Sequence, residues 1–132
     1  MAAKVLDAYA IMAFFEDEPG ADFVRNLILQ AEESNIDLLM SVVNLGEVWY
    51  SIARTNSSET ADQYIHEIQG MAIDIVEADW QLTRQAATFK VNGKISYGDC
   101  FAAALAKNRE AELVTGDTEF KVLQDEIKIS WI

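Results

Sequence analysis

The sequence predicts an α/β protein: a single three-layer domain in which helices cover both faces of a short, mostly parallel central sheet. Short apolar runs of strand length alternate with longer amphipathic segments along the whole chain, and this alternation is typical of such sheets. The chain has 132 residues, enough for one domain with a core and too few for two ordinary ones. No repeat, linker or low-complexity tract divides it. We therefore expect one domain over residues 1–132.

The first elements are a strand and two helices. Lys4–Leu6 is a short apolar strand, and the mostly apolar segment Ala8–Phe15 after it predicts a short helix. Pro19 suits a first helical position. Ala21–Glu33 then places apolar side chains at intervals of three and four residues, the period of an amphipathic helix.

A second strand and two more helices follow. Asp37–Met40 is the strand, and Ser41 is a suitable N-cap for a helix over Val42–Arg54, which has an apolar stripe. Ser57 begins another helix, which extends to about Gly70. The third strand comes after it.

The third strand and the next two helices lie between residues 73 and 106. Ile73–Val76 is the strand, Trp80–Phe89 a helix and Val91–Lys94 a turn. Ser96 then has the character of an N-cap, and the alanine-rich segment Phe101–Ala106 continues a closely packed helix.

The last elements are two strands around a short helix. Glu112–Thr115 is the fourth strand, Thr118–Leu123 the helix and Ile127–Ile132 the terminal strand. All the strands are short.

Four acidic residues occur where a hydrophobic segment ends or a helix begins. They are Asp7, Glu47, Asp99 and Asp117. Such positions lie near the carboxyl edge of a parallel sheet, where open α/β folds bind ligands. Carboxylates that converge there repel one another unless a cation lies among them, and hard oxygen ligands suit Mg²⁺ or Mn²⁺. The pattern therefore favours metal-dependent phosphoryl chemistry, as in a nuclease.

Each of these acids also has a purely structural interpretation. Asp99 is three residues after Ser96, the capping-box spacing, and Asp117 is placed to cap the next helix. Glu47 is compatible with a solvated helix surface. Asp7 is harder to explain in this way, because it interrupts an apolar stretch where a lone carboxylate is costly.

The composition limits the possible functions. The formal net charge is −12, which argues against a broad basic face for nucleic acid but is compatible with a metal-dependent nuclease. One cysteine, Cys100, excludes an internal disulfide. The apolar stretches are broken by charges, and Asp7 falls where a signal peptide would need apolar residues. These features lead us to expect a cytoplasmic protein with no membrane partner.

Local strings around the four acids resemble the PIN-domain family, and within it the VapC-type ribonuclease toxins of prokaryotic toxin–antitoxin pairs. They are Val5-Leu6-Asp7-Ala8-Tyr9-Ala10, Ser41-Val42-Val43-Asn44-Leu45-Gly46-Glu47-Val48, Tyr97-Gly98-Asp99-Cys100-Phe101-Ala102-Ala103-Ala104-Leu105-Ala106 and Leu113-Val114-Thr115-Gly116-Asp117-Thr118-Glu119-Phe120. The four strings occur in the family's order, and the resemblance covers nearly the whole chain as one PIN domain.

The resemblance implies roles for individual residues. Asp7, Glu47, Asp99 and Asp117 match the acidic quartet that holds one or two Mg²⁺ or Mn²⁺ ions and carries the hydrolysis of RNA phosphodiesters. Thr115 and Asn44 match polar neighbours of that quartet. The resemblance further implies a cognate antitoxin and a homodimer. Lys94, close to Asp99 in sequence, is our candidate for an RNA phosphate contact.

One departure from the family pattern concerns the residue after the first aspartate. Many relatives have Ser or Thr there, whereas this chain has Ala8. The missing hydroxyl weakens the case for full catalytic efficiency, so a catalytically weak or silent PIN-like binding protein is the alternative.

Two other protein classes on similar sheets fit less well. A haloacid-dehalogenase-type phosphatase needs a second acid two residues after the first, where this chain has Tyr9. A receiver domain needs an acidic pair near the first strand, a phosphorylatable Asp after the third and a lysine after the fifth. Here the third strand leads into Glu77 and Asp79, and no lysine follows the terminal strand. The only histidine, His66, is far from the acids in sequence.

Overall fold

Five short strands form one sheet in the computed structural model, which describes residues 2–132. They are β1 (Ala3–Leu6), β2 (Asp37–Ser41), β3 (Asp74–Val76), β4 (Glu112–Thr115) and β5 (Lys128–Trp131). Their order across the sheet is β3-β2-β1-β4-β5, and every neighbouring pair is parallel. The predicted three-layer α/β architecture is confirmed. Met1 lies outside the described residues.

Six α-helices and one 3-10 helix connect these strands. They are α1 (Ala8–Phe15), α2 (Ala21–Glu32), α3 (Val42–Thr55), α4 (Ser58–Gln69), α5 (Trp80–Asn92), α6 (Tyr97–Asn108) and the 3-10 helix Thr118–Leu123. Within residues 2–132, none of the helices combines the length and apolar character needed to cross a membrane.

Alternating side chains of the strands form two separate cores, one on each face of the sheet. Val5 and Leu113 face a core completed mainly by α5 and α6. Their neighbours Leu6 and Val114 face the opposite core, which α1 to α4 cover. All four side chains are fully buried. This burial on both faces explains why the strands are continuous apolar runs rather than alternating ones.

The strand order creates a topological switch point between β1 and β4. From β1 the chain crosses to β2 and β3 on one side, and from β3 it returns to β4 and β5 on the other. Helices on opposite faces diverge at such a point and leave a crevice at the carboxyl ends of the strands. Asp7 directly follows β1, and Asp117 is two residues after β4.

The boundaries agree with the sequence predictions except in three places. Helix α5 extends to Asn92, so the predicted turn Val91–Lys94 is wrong in its first half; the helix ends only at Gly93, the first residue there with a low helix propensity. Pro19 lies in the turn before α2, whose N-cap is Gly20 with a φ of 96° that favours glycine. The segment Thr118–Leu123 is a 3-10 helix rather than an α-helix.

Candidate functional site

The structure brings together the four acids predicted from the sequence. Asp7 directly follows β1 and caps α1, Glu47 lies in the second turn of α3, Asp99 is in the first turn of α6, and Asp117 caps the 3-10 helix. The negative charges of Asp117, Glu47 and Asp7 all act to raise the pKa of Asp99. Four segments that are distant in sequence therefore contribute to one acidic site at the carboxyl edge of the sheet.

Asp7 is the most deeply buried member of the site. Its side chain is 2% exposed, and both carboxylate oxygens are hydrogen-bonded. The Ala10 backbone N–H donates to Oδ1 at 2.8 Å, and the Thr115 hydroxyl donates to Oδ2 at 2.5 Å. Both oxygens are therefore partnered although Ala8 has no hydroxyl.

The pKa of Asp7 is raised to about 7: burial is the main cause, the charges of Asp117 and Glu47 add to it, and the hydrogen bonds from Thr115 and Ala10 act in the opposite direction. Desolvation disfavours an ionised carboxylate unless a cation compensates. Asp7 is thus a charge that this fold buries at a cost, and such groups concentrate at functional sites.

Thr115 connects two of the acids. Its buried hydroxyl donates to Asp7 and accepts a hydrogen bond from the Asp117 backbone N–H at 3.0 Å. One side chain at the end of β4 therefore fixes both the carboxylate after β1 and the turn that carries Asp117.

Asn44 holds Glu47 in a similar way. Its side-chain amide donates to Glu47 Oε1 at 2.6 Å and to the Gly98 carbonyl at 3.0 Å. A Cβ at Gly98 would lie 2.4 Å from Glu47 Oε2, so any side chain there would displace the Glu47 carboxylate from this position. Burial raises the pKa of Glu47, and the charge of Asp117 adds to that effect.

Asp99 is half-buried beside the Ser96 cap. The Ser96 hydroxyl accepts from the Asp99 backbone N–H at 3.3 Å, so Ser96 is the predicted N-cap of α6. The pKa of Asp99 is raised to about 7, chiefly by burial and then by the three other acids, against the lowering effect of Ser96. The capping explanation therefore applies to Ser96, while the Asp99 carboxylate belongs to the acidic site.

Glu119 is an additional acid that the sequence predictions missed. Carboxylate oxygens of Asp99, Asp117 and Glu119 all lie within 4.8 Å of one another. The Glu119 backbone N–H donates to Asp117 Oδ1 at 3.0 Å, which fixes the turn between them. The sequence hint of this additional acid was its position two residues after Asp117. The tight 3-10 turn is what brings both carboxylates close to Asp99.

Lys94 is exposed in the loop before α6, where it lines a shallow depression with Val91 and Val122. Its contact with an RNA phosphate stays a prediction.

The donor set of the site consists of carboxylate oxygens, which are the ligands that Mg²⁺ and Mn²⁺ prefer. Asp99, Asp117 and Glu119 satisfy the spacing for a shared ion, and the pKa values of Asp7 and Asp99 are raised chiefly by burial and then by the neighbouring carboxylates. The residues therefore fit a divalent cation.

A sequence profile of the PIN domain matches residues 4–126. The chain belongs to the PIN-domain family. A search of curated protein sequences found no match.

Solved structures of toxin–antitoxin proteins are similar to this chain along nearly its whole length. VapBC2 from Rickettsia felis, bound to a DNA fragment from its promoter, has a TM-score of 0.77 at 18% identity, with 98% of each chain covered. DNA-bound VapBC from Salmonella typhimurium has a TM-score of 0.76 at 17% identity, again with 98% of each chain covered. VapC20 from Mycobacterium tuberculosis, a toxin that cleaves the sarcin-ricin loop, has a TM-score of 0.68 at 14% identity; 92% of this chain and 94% of that chain are covered. At these identities the similarity establishes the fold.

Proposed function

We propose that this PIN domain, spanning residues 1–132, is a metal-dependent endoribonuclease and the toxin of a type II toxin–antitoxin pair. The observation that carries the proposal is the meeting of four acids from four segments at the switch point, two of them with a pKa raised to about 7. The RNA-cleaving activity named for VapC20, a protein of similar fold, supports RNA as the substrate.

We assign the metal-binding role to Asp7, Glu47, Asp99 and Asp117, with Glu119 as an additional ligand. When bound there, Mg²⁺ or Mn²⁺ supplies an activated water and stabilises the negative charge that develops on the phosphate. The residues' own contribution is to hold these carboxylates close together in a partly buried crevice, where electrostatic interactions are stronger than in water.

Several neighbouring groups orient the proposed ligands. Thr115 and the Ala10 N–H fix both oxygens of Asp7, and Asn44 fixes Glu47 against Gly98. Loss of a hydrogen bond that orients a metal ligand typically lowers metal affinity or activity 10- to 100-fold. Both oxygens of Asp7 are hydrogen-bonded without a hydroxyl at position 8, which argues against the catalytically silent alternative.

The proposed partners are RNA, a cognate antitoxin and a second copy of the chain. The VapBC complexes of Rickettsia felis and Salmonella typhimurium support the antitoxin, and an acidic crevice is complementary to a basic side chain from such a protein. We place the protein in the cytoplasm, where its RNA substrate is found.

The proposal is tested by incubating total RNA with wild type and Asp99→Asn, each with Mg²⁺, Mn²⁺ or EDTA. Asp37→Asn is the matched control, because Asp37 is exposed at the amino end of β2, on the opposite edge of the sheet. We expect discrete fragments from wild type and Asp37→Asn, only with a metal, and none from Asp99→Asn. Cleavage by Asp99→Asn at the wild-type rate contradicts the site assignment, and persistent cleavage in EDTA contradicts the metal dependence.

A further inference from the structure

Tyr9 lies directly beside the acidic site. It is two residues after Asp7, in the first turn of α1. A Cβ at Gly116 would lie 2.3 Å from Tyr9 Cε1 and 2.8 Å from Cζ, so the edge of the ring rests on the backbone between Thr115 and Asp117. Glycine at position 116 allows this contact across the crevice between β1 and β4.

Much of the Tyr9 ring is nevertheless open to solvent. Tyr9 is 44% exposed, and Tyr97, two residues before Asp99, is 45% exposed. Tyr97 is oriented by an edge-to-face contact with Phe101, with ring centroids 5.1 Å apart. The two rings therefore occur at the starts of α1 and α6, the helices next to Asp7 and Asp99.

The charge of the chain limits how it can hold a polyanion. It has 22 acidic residues and 10 Lys and Arg residues. Three of these cations, Lys4, Arg25 and Lys107, are already in ion pairs with carboxylates. The excess of acidic residues disfavours extensive phosphate contacts, whereas unpaired bases offer neutral faces that stack on aromatic rings in many RNA-binding proteins.

We propose that Tyr9 and Tyr97 stack on unpaired nucleobases of the RNA that flank the bond to be cleaved. This inference rests on the ribonuclease activity proposed above. Each stacked ring strengthens binding by roughly 5- to 100-fold, and this contribution depends little on salt because it involves no ion pair.

The test is fluorescence anisotropy with a fluorescein-labelled poly(U) strand and a labelled RNA duplex. Every protein carries Asp99→Asn so that the probe stays intact. We expect the single strand to bind more tightly than the duplex, Tyr9→Leu and Tyr97→Leu each to weaken its binding roughly 5- to 100-fold, and Tyr9→Phe to retain it. Trp80→Leu is the matched control, because Trp80 is 72% exposed at the start of α5 and should leave binding unchanged.

Three results would overturn the inference: unchanged binding by both leucine variants, equal loss in Tyr9→Phe and Tyr9→Leu, or a change of oligomeric mass in Tyr9→Leu. The last would assign the ring to a protein interface. Cleavage of total RNA by the same tyrosine variants, made this time with Asp99 retained, separates the stacking proposal from the ribonuclease proposal. Intact cleavage with unchanged RNA binding rejects only the stacking role, whereas no cleavage by the wild-type chain and no binding of either probe rejects both.

Discussion

Replacing Asp7 by Asn should stabilise the metal-free protein at alkaline pH. The pKa of this carboxyl is raised from 3.8 to about 7 by burial. At about 1.4 kcal/mol per pKa unit, holding it ionised in the folded state costs about 4 kcal/mol above pH 7. Asn carries no charge, but the NH₂ group that replaces Oδ2 cannot accept the hydrogen bond of the Thr115 hydroxyl, and this loss offsets about 1–2 kcal/mol of the gain. The expected net stabilisation at about pH 8 is therefore about 2–3 kcal/mol.

The pH dependence of this stabilisation follows from proton binding. Between about pH 4 and pH 7 the folded Asp7 is protonated and the unfolded one is ionised, so wild-type stability falls as pH rises through this range. Near pH 4 and below, both states are protonated and the charge contributes nothing. From about pH 8 to about pH 5.5, the advantage of Asp7→Asn should shrink by about 2 kcal/mol.

Urea denaturation in EDTA at these two pH values measures the difference. Asp37→Asn, which removes an exposed carboxylate at the other edge of the sheet, is expected to change little at either pH. The reasoning is refuted if Asp7→Asn is less stable than wild type at the higher pH, or if its advantage does not depend on pH.

Three further predictions concern the geometry of the site. Thr115→Val removes the hydroxyl between two acids and should lower the RNA cleavage rate about 10- to 100-fold, with partial rescue by Thr115→Ser; single-turnover kinetics would show it. Gly98→Ala should abolish cleavage because its Cβ would lie 2.4 Å from Glu47 Oε2, whereas Gly46→Ala, with nothing within 4 Å of the added atom, should cleave normally in the same assay. Mn²⁺ at about 100 times its dissociation constant should stabilise wild type by about 3 kcal/mol in denaturation experiments, and equal stabilisation of Asp117→Asn would exclude that residue as a ligand.

The sequence by itself determined the order of the strands and helices and placed four acids at their junctions. Hydrophobic periodicity and cap residues act over a few positions, so α1, β4 and the Ser41 and Ser96 caps could all be predicted locally. The four strings around the acids also indicated the PIN-domain family, which the profile match confirms.

Only the tertiary structure decided how these acids are held. The Thr115 hydroxyl reaches Asp7 across 108 positions of sequence, and the Asn44 amide reaches Gly98 across 54. Such contacts depend on the strand order and on the approach of helices from different segments, which no local pattern encodes. The inclusion of Glu119 depends likewise on a 3-10 turn. The residue types thus specified the chemistry of the site, and the packing of parallel strands specified its geometry.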